Sequence, residues 1–282
     1  MDMSNLLNSG PHARVSCSNC ALRRLCLPPE LSASELESAE HLVSTRLRLK
    51  RGAALYRTGD AFKSLYAVWV GCLKSTLTSG DGREQVTGFH MTGEMVGFDG
   101  FGAGAHTCDA VALEDAEVCV IPYSRIEENI ATLPFLRKHL YSMMSREIVR
   151  KHGLMLMLGS MQAGERLASF LLELADRFEA RGYSSREFIL RMSRAEIGSF
   201  LGITLETVSR LLSQFGRMGL IDVQHVRGVR IADRDGLRRL AAGREPEQRS
   251  RDCAELRIAP PRALAQRRAA TVAVPELEEE YA

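Results

Sequence analysis

The chain has 282 residues, 45% of them hydrophobic and 26% charged, with a formal net charge of +2. That length admits two separate cores, and the near-neutral balance excludes a globally basic nucleic-acid binder, so any such surface must be local. No apolar run reaches about eighteen residues, so no membrane-spanning helix is expected.

The opening MDMSNLLNSGPHARVSC lacks the basic, apolar and small-residue order of a secretory signal, which makes the cytoplasm the expected compartment. Thiols stay reduced there, so clustered cysteines point to metal ligands or catalytic groups rather than disulfides. Of the seven cysteines, Cys17, Cys20 and Cys26 fall within CSNCALRRLC, in a cysteine-rich segment spanning 1–30. Next, Ser32 with Glu35 three residues later is a capping box that predicts a short helix. Between Leu47 and Pro122, short apolar runs such as LYAVWV, QVTGF and EVCVI are separated by glycine turns. That texture predicts an antiparallel roll within 31–132.

Pro134 opens a long helix, assigned to 133–160, along which Leu140, Met144, Ile148, Met155 and Leu158 recur at spacings of three, four and seven. A stripe this narrow predicts the seam of a homodimer; the alternative is packing on the chain's own roll. Lys151 falls on the same stripe and would approach its copy across a two-fold axis, where like charges oppose association. A second amphipathic helix follows over 164–181, through Leu167, Phe170, Leu171, Leu174 and Phe178.

Residues 192–212 carry two helices split by a tight turn. Ser193 and Glu196 cap the first, Gly202 supplies the turn, and Thr204 caps the second, which is the helix-turn-helix pattern. Glu206, Ser209 and Arg210 share one face near the start of the second helix, where they can enter a major groove. Arg reads guanine, Glu accepts from cytosine, and Ser bonds either edge; the alternative for Glu206 and Arg210 is a solvated ion pair. Residues 186–230 hold seven Arg or Lys, Arg194 among them, against four Asp or Glu. The strands LIDV and VRI, joined through Arg227-Gly228, then read as a wing that can touch phosphate. The winged domain is assigned to 161–243, and the tail 244–282, poor in large apolar residues, is expected to be disordered. The fold class is α+β. No Gly-rich nucleotide loop and no activated nucleophile is found, so an enzyme is not expected.

A roll, a long helix and a winged helix-turn-helix, in that order, resemble the bacterial Crp–Fnr transcription regulators over roughly residues 30–243. Cys17-x2-Cys20-x5-Cys26 with Cys119 later, together with FKSLYA, VTGFH and TVSRLL, is similar to the oxygen-sensing FNR-type branch. The resemblance implies a [4Fe–4S] cluster on Cys17, Cys20, Cys26 and Cys119, a homodimer when the cluster is bound, and palindromic double-stranded DNA with TTGAT-type half-sites. Thereby it implies control of anaerobic genes. Four thiolates are the usual ligand set for such a cluster, and apolar Leu22, Leu25 and Leu27 could cover it. The alternative is a zinc-stabilised regulator without redox sensing, although a five-residue gap fits zinc less well. By spacing alone Cys108 competes with Cys119; the family pattern selects Cys119. The resemblance also implies RNA polymerase contact at the turn Gly80-Asp81-Gly82. It disfavours a cyclic nucleotide, because Cys108-Asp109-Ala110 stands where cyclic-nucleotide sensors carry an Arg that neutralises the phosphate.

Overall fold

The computed structural model describes residues 17–224 and 227–244. Two four-stranded antiparallel sheets make the roll. One has the order β1 (Thr45–Leu49), β8 (Ala116–Pro122), β3 (Ser64–Val70), β6 (Met95–Val96). The other runs β2 (Ala54–Tyr56), β7 (Asp109–Ala112), β4 (Cys72–Thr78), β5 (Glu84–Met91). Val68, Leu73, Ala110, Ala112 and Val118 fill the space between them. Strand alternation decides what faces outward. On β8, Ala116 and Val118 are buried in the roll, which leaves Glu117, Cys119 and Ile121 on the outer face.

Elements from both ends of the roll cover that outer face. Helix α1 (Arg23–Cys26) and α2 (Ala33–Leu42) precede β1, while α3 (Tyr123–Ile130) and the 27-residue α4 (Pro134–Ser160) follow β8. The Ser32–Glu35 capping box starts α2 as the sequence predicts. Pro at the first turn of α4 fits because its missing N–H would be unpaired there anyway. Leu140 packs with Leu65 and Ile126 against the roll.

The DNA-binding part packs α5 (Ala163–Glu179), α6 (Arg194–Leu201), α7 (Leu205–Arg217) and α8 (Arg234–Ala241) into one core, which Cys72, Val86, Phe89 and Met91 of the roll and Met157 of α4 also join. Its wing, β10 (Ile221–Gln224) and β11 (Gly228–Ile231), gains a third strand, β9 (Glu187–Ile189). Arg166 fastens the joint between α4 and this domain: its guanidinium donates to the carbonyls of Leu158 (2.9 Å), Met161 (2.8 Å) and Leu201 (3.0 Å). The roll also touches α6 directly. Val86 N donates to Ser199 Oγ at 2.9 Å, Lys74 pairs with Glu196 at 2.9 Å, and the Phe89 ring lies 5.2 Å from that of Phe200. Among the described residues no helix is long and apolar enough to cross a membrane.

Candidate cluster-binding and DNA-reading sites

The N-terminal segment folds into a tight loop because successive backbone bonds close it: Cys20 N donates to the Cys17 carbonyl and Arg23 N to that of Cys20. Two contacts seat the loop on the outer face. Ser18 N donates to Glu40 on α2 at 2.6 Å, and His139 Nε2 on α4 donates to the Cys26 carbonyl at 2.8 Å. Cys119 on β8 is the register partner of Arg46 on β1, whose guanidinium lies 3.9 Å over the Trp69 ring.

Cys17, Cys20, Cys26 and Cys119 thereby line one cavity of about 90 Å³, several times the room a single water needs. Leu22 and Leu27 line it too, whereas Leu25 turns away toward Gly93. Of the three leucines expected to cover the site, two do so. Among the described residues no three His, Cys, Asp or Glu side chains converge as a single-ion site. Tetrahedral zinc would draw its sulfurs to roughly 3.8 Å from one another, given Zn–S bonds of about 2.3 Å. Four thiols lining one cavity are, by their chemistry, the donor set an iron–sulfur cluster uses.

Burial keeps thiols of this cavity protonated, so a metal bound there would have to displace protons. Burial, reinforced by Cys119, Glu40 and Cys20, pushes the Cys17 thiol up to about 11. Burial together with Cys20, Cys119 and Cys17 pushes Cys26 up to about 12. Burial raises Cys119 as well, against the pull of Arg46. Cys108 sits elsewhere, in a second cavity beside Tyr56 and Asp99, and Cys72 is buried under β5. Cys253 lies outside the described residues, as does the tail from 245.

At the other end, Ser193 and Glu196 form their capping box, and Gly202 ends α6 with φ +63°, a left-handed turn that favours glycine. Thr204 caps α7 by accepting from Thr207 N at 3.2 Å. Glu206 and Arg210 are exposed on the outer face of α7; the Glu206 backbone N–H and the Thr204 hydroxyl hold the Glu206 carboxyl below its usual range. Ser209, half-buried, accepts from Arg194 Nη1 at 3.1 Å, which brings Arg194 onto the same surface. Sequence reasoning missed Gly198. A Cβ there would lie 2.6 Å from the Ile203 carbonyl oxygen, so this glycine lets α6 and the start of α7 approach.

On α4 the apolar stripe is displaced from its expected line. Ile148 and Met155 are 54% and 69% exposed, and Tyr141, Val149 and Leu156 are exposed beside them. Met144, Lys151 and Leu158 are half-buried at the edge of the stripe. Lys151 Nζ donates to the Thr87 carbonyl at 2.9 Å and lies 3.2 Å from Glu147, so its charge is partly met within its own chain. The turn at Gly80, Asp81 and Gly82 is fully exposed, with Asp81 held by Arg83 at 2.7 Å. Asp109, beside Cys108, pairs with Arg57 at 3.1 Å.

Residues 46–132 match the family model described as a cyclic nucleotide-binding domain, and residues 165–240 match that of a Crp-like helix-turn-helix domain. Over 224 residues the chain is 48% identical to the transcriptional regulatory protein btr of Bordetella pertussis, covering 79% of this chain and 92% of that protein. It is 39% identical over 227 residues to the fumarate and nitrate reduction regulatory protein of Escherichia coli, covering 80% and 90%. The chain belongs to the FNR-type branch of the Crp–Fnr family. The solved structure of FixK2 from Bradyrhizobium japonicum superposes on this FNR-type regulator with a TM-score of 0.66 at 31% identity, covering 71% of this chain and 98% of that one. The regulator is thus a DNA-binding transcription protein whose relatives are named as regulators rather than enzymes.

Proposed function

We propose that this FNR-type chain is an oxygen-responsive regulator of anaerobic gene expression, holding a [4Fe–4S] cluster on Cys17, Cys20, Cys26 and Cys119. The observation that carries the reading is the convergence of three loop cysteines and one outer-face strand cysteine on a single cavity against α4. When bound, such a cluster supplies oxygen lability. The chain's own residues do the rest. Cys17, Cys20 and Cys26 of the N-terminal loop and Cys119 of β8 would hold the group between them and so tie loop to strand, and the loop bears on α4 through His139, which donates to the Cys26 carbonyl.

Helix α4 offers Tyr141, Ile148 and Met155 to a second copy, with Met144, Lys151 and Leu158 at the rim of the seam. Because Glu147 and Thr87 hold Lys151, its self-repulsion trims the seam rather than abolishing it, and a marginal dimer can be switched by a few kcal/mol at the loop. The dimer sets two α7 helices on a palindrome of TTGAT-type half-sites. There Glu206 and Arg210 contact the G·C pair and Ser209 a neighbouring thymine, with Thr204 and Arg194 flanking them. The exposed Gly80, Asp81 and Gly82 turn meets RNA polymerase.

The test is iron, acid-labile sulfide and zinc content, with visible absorbance, on protein purified without oxygen and then exposed to air. Stoichiometric iron and sulfide whose absorbance bleaches in air is the expected result. Zinc without sulfide, unchanged by air, would overturn the sensing mechanism and leave a DNA-binding protein.

A further inference from the structure

Glu94, in the turn between β5 and β6, meets more of the molecule than any role in the roll requires. Its side chain is only 11% exposed. Arg177 on α5 grips the carboxylate with both arms, Nε to Oε1 at 3.1 Å and Nη2 to Oε2 at 2.7 Å. Arg181, one turn later and 7% exposed, donates to Oε1 at 2.5 Å. Arg150 on α4 approaches Oε2 at 3.6 Å. The same two guanidiniums, Arg177 on α5 and Arg181 just past its end, also donate to backbone carbonyls at the turn, Arg177 to Phe89 at 2.6 Å and Arg181 to Thr92 at 2.7 Å.

The turn's other side faces the cysteine loop. At Gly93, φ is +84° and a Cβ would lie 2.6 Å from Cβ of Leu25, the residue before Cys26. Leu25 therefore rests against bare backbone, and the loop cannot move toward the turn without displacing it. A buried fork of this kind has one good arrangement, so the turn and α5 move together. Helix α5 in turn shares its core with α6 and α7 through Leu167, Leu171 and Leu174.

We propose that Glu94 is a positioning residue that couples the cysteine loop to the DNA-binding domain directly, along a route separate from the α4 seam. The proposal rests on the reading of the cysteines as sensor ligands. It assigns the Glu94–Arg177–Arg181 contact to setting where α6 and α7 sit when the loop is ordered, while the seam sets how many chains assemble.

The experiment uses the full chain, purified without oxygen. Binding to a palindromic duplex is measured by fluorescence anisotropy before and after air, with iron, sulfide and sedimentation recorded on the same samples. The ratio of the two affinities, taken per dimer, is the coupling. Glu94→Gln should keep the cluster and the dimer while the ratio falls by about tenfold, within the usual span of allosteric coupling. Arg181→Met should give the same fall, and the two together no more than either alone, because both break one contact. A Glu94→Gln/Arg177→Met/Arg181→Met chain guards against unfolding, since removing a whole buried ion set is often neutral where removing one member is not. Variants that load the cluster, dimerise and keep the wild-type ratio overturn the coupling alone. A ratio that falls only in proportion to lost cluster or lost dimer also overturns it. A wild-type chain without iron and sulfide overturns both the coupling and the sensing reading.

Discussion

Replacing Gly198 by Ala sets two effects of opposite sign against each other. In an open helix the change would stabilise by up to about 1 kcal/mol, the difference in helix propensity. Here the added carbon would lie 2.6 Å from the Ile203 oxygen, 3.3 Å from the Thr204 carbonyl carbon and 3.4 Å from Leu205 N, all backbone atoms. They have little room to yield, because Ile203 N donates to the Gly198 carbonyl at 2.9 Å and Thr204 caps α7. Restoring ordinary contact means parting α6 from α7 by several tenths of an ångström, and such overpacking costs about 1–3 kcal/mol or more. The net expectation is a loss of about 1–2 kcal/mol, or a fall in Tm of roughly 5–15 °C if this domain melts as an independent unit of its size. Differential scanning calorimetry and anisotropy with specific DNA would both report it, since the recognition helix is moved as well as strained. Gly153→Ala on α4, with nothing within 4 Å of the new carbon, is the control and should raise Tm slightly. A Gly198→Ala chain with unchanged or raised Tm and full affinity would refute the reasoning.

Cys119→Ser should abolish iron and sulfide retention and Cys108→Ser should not, as measured by metal analysis; the opposite pattern would move the fourth ligand to the second cavity. Ile148→Glu should leave monomer stability unchanged, because the side chain is already 54% exposed, yet sedimentation should show that the cluster-loaded chain no longer dimerises. Glu206→Gln should relax discrimination at one base pair in a panel of variant duplexes while costing at most about 1 kcal/mol of stability, the usual worth of an acidic residue in the first turn of a helix; equal loss on specific and random DNA would count against base reading. Burial alone would raise the Glu94 carboxyl, but Arg177, Arg150 and Arg181 outweigh it and hold it down from an ordinary 4.5 to about 2. Its contribution is therefore complete above pH 4.5 and is lost as pH falls toward 2, to a total of roughly 3 kcal/mol. Urea titrations across that window should show this loss in the wild type and not in Glu94→Gln.

Features that depend on a few neighbouring residues were legible. The Ser32–Glu35 and Ser193–Glu196 boxes, the Gly202 turn and the Thr204 cap each act within about four residues, so their patterns translate directly into backbone geometry. Features that depend on which surface covers which were not. Periodicity along α4 identifies an apolar face, yet the roll takes Leu140 and half of Met144, so the exposed part of the face keeps Ile148 and Met155 and widens to Tyr141, Val149 and Leu156. Strand β9 is three residues long and shows no period of its own; pairing with β11 makes it a strand. Choosing Cys119 over Cys108 requires knowing that the N-terminal loop covers the outer face of the β1–β8–β3–β6 sheet. Nothing local marks Glu94, because the arginines that engage it lie 83 and 87 residues further on.

The three carbonyl bonds of Arg166 leave the joint between α4 and the DNA-binding domain with little slack. In a pair of chains, the distance and angle between recognition helices would then follow from how the two α4 helices cross, with no soft linker to absorb error. Inserting or deleting one base pair between half-sites rotates one of them by about 35° and shifts it along the axis. A stiff joint has no compliance with which to follow that rotation. Operators for this regulator should accordingly tolerate many base changes in the spacer but almost no change in its length, a restriction imposed by mechanics rather than by any contact with a base.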